Sequence, residues 1–208
     1  MRRWEWVLTG LPILLLGAVL TVFVLRHLGG MHKEEEPLPR YAQIHPFSFV
    51  DQDGRPFTEK DLLGKVWVAQ FFFTSCPGPC PAVSHQISQL QDMLSGVPEF
   101  RLVSIAIDPE NDTPAALREY AARMGAQPGR WIFLTGTPEG LAQLVRQDFM
   151  IGFQKNPDPS QGRYLHSTKV ALVDPQGVVR GYYEGLDMEA PQRILSDIGR
   201  LLREQPAP

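Results

Sequence analysis

The stretch "VWVAQFFFTSCPGPCP", Val66 to Pro81, constrains the fold of this 208-residue chain more than any other. Val66 to Phe73 is nearly all apolar, as a strand buried on both faces of a sheet must be. It runs directly into the only two cysteines, Cys76 and Cys80, with three residues between them. Val83, Ile87, Leu90 and Leu94 then recur at helical spacing. A dithiol is therefore expected at a sheet edge, where a helix N-terminus carries partial positive charge and lowers thiol pKa.

The remaining pattern alternates strands with helices. "FSFVDQDGRPFT" places an Asp53-Gly54 turn between apolar residues and predicts a hairpin. "FRLVSIAI" and "RWIFLTG" read as further buried strands. Between them, Thr113 is the expected N-cap, Pro114 the first helical residue and Gly125 the stop. "TPEGLAQLVRQDF" predicts another helix. "GFQKNPDPSQGRYLH" reads as a polar loop, expected to be mobile from Gly152 to Leu165, with His166 at its end. "KVALVD" and "VVRGYYEG" are two strands joined by "PQG", and "APQRILSDIGRLLRE" is a last helix. The expectation is an α/β domain with a mixed sheet flanked by helices, and a dithiol between buried strand and helix is the thioredoxin-like arrangement.

No charged residue lies between Glu5 and Arg26. That is about 20 residues, or roughly 30 Å of helix, the thickness of a bilayer core. Trp4 and Trp6 fall where an interfacial aromatic belt would lie. "RHLGGMHKEEEPLPR" offers no A-x-A-like cleavage site and no lipidated cysteine, so an uncleaved transmembrane helix is expected rather than a signal peptide. Arg2 and Arg3 flank it on one side and Arg26, Lys33 and Arg40 on the other, so charge leaves its orientation open. The partition that follows is an anchor over 1–28, a linker over 29–42, a domain over 43–204 and a tail over 205–208. A net charge of -3 and no long basic run argue against nucleic acid as a partner.

Three chemistries suit the cysteine pair. A structural disulfide closing about five residues contributes only about 2 kcal/mol, and useful staples join distant segments. A redox pair usually has two intervening residues, and Pro77, Pro79 and Pro81 make this segment a stiff loop rather than a helical turn. A disulfide remains feasible in it. Metal binding is the third. Two thiolates select a soft ion such as Cu(I), whereas structural zinc normally takes four protein ligands. A third donor would come from His27, His32, His45, His85 or His166. His85 lies early in the helix after the cysteines, and His166 at the end of the polar loop. Residue chemistry alone does not choose between them.

The blocks "DLLGKVWVAQFFFTSCPGPCP", "IAIDPENDTP", "WIFLTG" and "LHSTKVALVDPQG" resemble, in order and spacing, the Sco/SenC family of membrane-anchored, thioredoxin-like copper proteins. The resemblance implies copper ligands at Cys76, Cys80 and His166, with His85 outside the set. It implies Cu(I), with Cu(II) a second oxidation state to be tested. Asp108 matches the family's Asp-Pro, in a hydrogen-bonding or strand-ending role. Gly78 and Pro79 stand where the family commonly has an acidic and an aliphatic residue, and Asn111 where a basic one is common. The implied function is copper delivery to the binuclear copper centre of cytochrome c oxidase subunit II, directly or with its assembly factors, and reduction of that subunit's thiols. The implied location is a bacterial inner membrane, crossed once, with the domain in the periplasm. The rival functions are a thiol-disulfide oxidoreductase or peroxidase, with Cys76 and Cys80 as its redox pair, and a copper sensor or storage protein. The "TSC" context is one residue short of the peroxidase T-x-x-C.

Overall fold

The computed structural model describes residues 20–21, 36–157 and 164–204, without the side chains of Lys155, Leu165 and His166. The expected anchor over 1–28, apart from Leu20 and Thr21, and the tail over 205–208 lie outside the described residues. Among the described residues no helix is long and apolar enough to cross a membrane.

Eight strands form one mixed sheet in the order β1-β10-β9-β4-β5-β6-β2-β3. They are β1 (Ala42–Gln43), β2 (Ser48–Asp51), β3 (Pro56–Thr58), β4 (Val66–Phe72), β5 (Phe100–Ala106), β6 (Trp131–Thr135), β9 (Lys169–Val173) and β10 (Val178–Glu184). β4, β5 and β6 run parallel, and β9 lies antiparallel on the other side of β4. Every residue of β4 is buried, which is what its nearly all-apolar run requires of a central strand. The expected Asp53-Gly54 turn forms: Gly54 takes φ +75°, and the Asp51 carboxylate accepts from the Asp53 and Arg55 amides.

Side chains alternate along β4, and the two faces meet different partners. Gln70 and Phe72 point toward α1 (Cys80–Met93) and α2 (Pro114–Arg123), contacting Ser84 and Tyr120 respectively. α4 (Ala190–Arg203) packs beside α1. Trp67 and Phe71 point the other way, edge-on to Phe149. Phe149 follows α3 (Pro138–Gln143) and a π turn over Leu144–Asp148, so the expected single helix over this stretch loosens halfway. Thr113 caps α2 by accepting from the Ala116 amide, with Pro114 next and Gly125 at φ +68° beyond its end.

The expected loop from Gly152 to His166 is different. Its two ends pair as an antiparallel ribbon, β7 (Phe153–Lys155) with β8 (Tyr164–His166), so His166 lies on a strand rather than at the end of a loop. The cause is aromatic. Phe153 and Tyr164 contact each other across the ribbon, and Tyr164 packs edge-on against Phe73.

The domain packs from Pro37 onward. Arg180, buried on β10, donates to the Leu38 and Pro39 carbonyls and to Asp174, and pairs with Glu204 at 2.7 Å. One guanidinium thus ties the start of the domain to its last helix and to the β9–β10 turn. Arg180→Ala removes the buried partner of Asp174 and leaves it the Gln176 and Val178 amides and the more distant, exposed Arg40, so the expected loss is about 3 kcal/mol of unfolding free energy in denaturant titration.

Candidate metal centre

Parallel pairing brings the carboxyl ends of β4 and β5 to one edge, the usual place for a site in such a sheet. The loop after β4 carries the cysteines. The Cys76 amide donates to the Phe73 carbonyl at 3.1 Å, closing a turn, and Pro79 sets the start of α1, whose first residue is Cys80. Proline here costs the helix nothing, because the first amides have no intrahelical partner. Cys76 is half-buried and Cys80 buried, and neither is in a disulfide.

The two thiols share a hydrogen bond. That bond, followed by burial, pushes the Cys80 thiol far above its ordinary range. The lowered pKa expected from the helix N-terminus is therefore not what Cys80 has, since the shared proton and desolvation outweigh the dipole. Both sulfurs stand within one contact of each other, a geometry open to a single soft ion or to a disulfide.

Thr74 joins this loop to its neighbour. Its amide and hydroxyl both donate to Asp112 Oδ1, at 2.9 and 2.5 Å. Asp112 is fully buried in the turn after β5, and among the described residues its Oδ2 has no hydrogen-bond partner. Burial, countered by the two bonds from Thr74, leaves its carboxyl above the usual range. Asp108 closes the same turn: its carbonyl accepts from the Asn111 and Asp112 amides and its carboxylate from the Asn111 side chain at 2.7 Å. Asn111, which stands where the family commonly has a basic residue, serves that turn.

Beneath the helix runs a buried polar chain absent from the reading of the sequence. Trp131 Nε1 donates to Ser104 at 2.8 Å, Ser104 to Gln70 Oε1 at 3.2 Å, and Gln70 Nε2 to Ser84 at 2.7 Å; Ser84 and Tyr120 share a bond of 2.9 Å. Gln70 was the available signal, one polar residue inside an apolar strand. Burial pushes the Tyr120 hydroxyl up to about 12, with smaller contributions from Cys80 and Cys76.

His166 enters through its backbone. Two residues before it, Tyr164 packs on Phe73, three residues ahead of Cys76. Two residues after it, the Thr168 carbonyl accepts from the Gly185 amide at 3.1 Å. A Cβ on Gly185 would stand 2.4 Å from that carbonyl and 2.7 Å from Val83, three residues past Cys80. The segment bearing His166 is thus held to the cysteine segment on both sides. His85 is exposed on α1, and the His45 ring is taken by Asp148 at 2.8 Å. His27 and His32 lie outside the described residues. Among the described residues, no three His, Cys, Asp or Glu side chains converge as a metal site.

The family model for SCO1/SenC matches residues 35–203. The chain belongs to the SCO1/SenC family. It is 31% identical over 161 residues to a SCO1 protein homolog of Bacillus subtilis, covering 77% of this chain and 83% of that one. Its fold superposes on BsSco, described as a cytochrome c oxidase assembly protein with a disulfide switch, with a TM-score of 0.71, 29% identity and coverage of 82% and 100%. Against copper-bound ScoI of Bradyrhizobium japonicum the TM-score is 0.65 at 27% identity, covering 77% and 99%. The thioredoxin-like sheet expected of the family is the one described above.

The raised Asp112 carboxyl has a sign to test. A carboxyl with a higher pKa folded than unfolded binds protons more tightly when folded, so its contribution is present at low pH and is lost as pH rises from the ordinary carboxylate range through the folded value. Stability should fall across that window in the parent protein, and Asp112→Asn should flatten the fall in denaturant titrations.

Proposed function

We propose that this protein is a copper chaperone that holds Cu(I) between the Cys76 and Cys80 thiolates with neutral His166 as third ligand. The observation that carries the reading is the contact between the two thiols at the mouth of α1, with the β8 segment fastened beside them. Two soft sulfurs on a stiff loop suit a soft monovalent ion, and a site short of four protein donors suits copper better than structural zinc. The copper-bound relative supports the same metal.

Copper is cargo here. Cys80 lies buried and Cys76 half-exposed, so an incoming ligand from a partner meets Cys76 first. Release of His166 leaves two sulfurs from which copper can pass by ligand exchange. The acceptor we propose is the binuclear copper site of cytochrome c oxidase subunit II, alone or with its assembly factors, in keeping with BsSco being a member of a family of cytochrome c oxidase assembly proteins. Residues 1–28 are proposed to cross a bacterial inner membrane once and 29–42 to link them to a periplasmic copper domain spanning 43–204.

Thiol-disulfide exchange is the second reading, favoured by the same contact: sulfurs that share a hydrogen bond need little movement to form a disulfide. In that role Cys76, the more exposed sulfur, attacks and Cys80 resolves the mixed disulfide. The disulfide form has no thiolate to offer, so the two roles exclude each other at any moment.

Cys76→Ala and Cys80→Ala should each abolish tight binding of one Cu(I) in a competition titration. His166→Ala should weaken it by at least about 10-fold and speed exchange. Retention of one tightly held Cu(I) by either cysteine variant would defeat the model. Because uptake displaces thiol protons, affinity should fall as pH falls, by about tenfold per pH unit for each proton released, and proton release should be measurable in weakly buffered solution.

A further inference from the structure

The chain between Gln143 and Phe153 is built in an uncommon way. α3 gives way to the π turn, with the Phe149 amide bonded to the Leu144 carbonyl at 3.0 Å and the Ile151 amide to that of Val145 at 2.9 Å. π turns are rare and often mark functional sites. Met150 then takes φ +51°, the one non-glycine residue with positive φ among those described, and it is exposed. Such a conformation persists only where its surroundings over-determine it.

They do so here. Phe149 is buried against Trp67 and Phe71, and its carbonyl accepts from Tyr182 at 2.9 Å. Asp148 accepts from the His45 amide at 3.0 Å and from its ring. With both flanks held, the chain enters β7 in one direction, back across Arg146. The Arg146 guanidinium stands 4.8 Å over the Phe153 ring and donates to the Phe153 carbonyl at 2.9 Å. Phe153 is the residue paired with His166 across the ribbon. Its ring also meets Tyr164, which meets Phe73 at the root of the cysteine loop.

We propose that Arg146 is a positioning residue for the copper site, fixing Phe153 and through it the strand position from which His166 serves the cysteine pair. The inference rests on His166 as third ligand. Arg146 is itself exposed, so its contacts hold the ribbon locally and contribute little to the fold as a whole. Its effect is confined to whatever the ribbon carries.

A double-mutant cycle on the full-length chain tests this, with Cu(I) as the probe and release followed with a chromophoric chelator. Arg146→Ala should speed Cu(I) release by about 10-fold, as loss of one cation–π contact and one hydrogen bond implies. Arg146→Lys, which keeps a cation over the ring, should recover most of that loss. In the His166→Ala background Arg146→Ala should add nothing, because the group it positions is gone. In metal-free protein, Arg146→Ala should quicken amide exchange at Phe153–Lys155 and Tyr164–His166 while leaving the melting temperature unchanged. An equal effect of Arg146→Ala in both backgrounds, or none in the parent, overturns the positioning role and leaves His166 as a ligand. Release unchanged by His166→Ala overturns both.

Discussion

Parallel pairing of β4 with β5 is the constraint on which the site depends. The register runs unbroken from Val66 opposite Phe100 to Phe72 opposite Ala106, and the Ile107 amide adds one bond beyond it to the Phe72 carbonyl. Two chains in such register must release their loops at the same edge and at the same level. The cysteine loop and the Asp108–Asp112 turn are therefore neighbours by construction. Thr74 and Asp112 turn that adjacency into a fixed contact, at the expense of burying a carboxylate whose second oxygen has no hydrogen bond among the described residues. Tolerating such a group at a loop junction makes sense only if the position of the loop matters more than the energy lost.

Around that junction the site is assembled from segments distant in sequence. In the proposed site the thiols come from the β4–α1 connection, the clamp from the turn after β5, and the imidazole from a ribbon outside the main sheet. Only the first is local. A three-ligand site of the kind proposed can open by moving one part: the sulfurs sit on a turn braced by prolines and an adjoining strand, whereas His166 lies on a two-stranded ribbon contacted by Arg146, Phe153 and Tyr164. Short ribbons have marginal stability of their own, so the contacts at their base decide how firmly they hold what they carry. The division of labour suits the proposed chaperone, which must both keep copper and give it up.

The central strands, the Thr113 cap and the Asp53-Gly54 hairpin were legible because each rests on near neighbours in the chain: an apolar run, a capping hydroxyl, a glycine at positive φ. The cysteine pair was legible from residue chemistry, whereas the proposed choice of His166 over His85 rests on family resemblance alone. What was hidden depends on distant contacts. Gly152 to His166 looks like a loop because its residues are polar, and its pairing depends on Phe73 and Arg146 from elsewhere. The π turn carries no periodic signal that distinguishes it from helix. The Cys80 thiol shows the same limit: the helix dipole could be inferred from sequence, while the burial and the Cys76 contact that overrule it could not.

X-ray absorption at the copper edge of the Cu(I)-loaded, full-length chain asks most directly whether two sulfurs and a remote imidazole meet at one ion. The account requires a first shell of two sulfur atoms and one nitrogen, with the outer-shell scattering of a single imidazole that vanishes in His166→Ala. A shell of sulfur alone, or an imidazole signal untouched by that substitution, would contradict it.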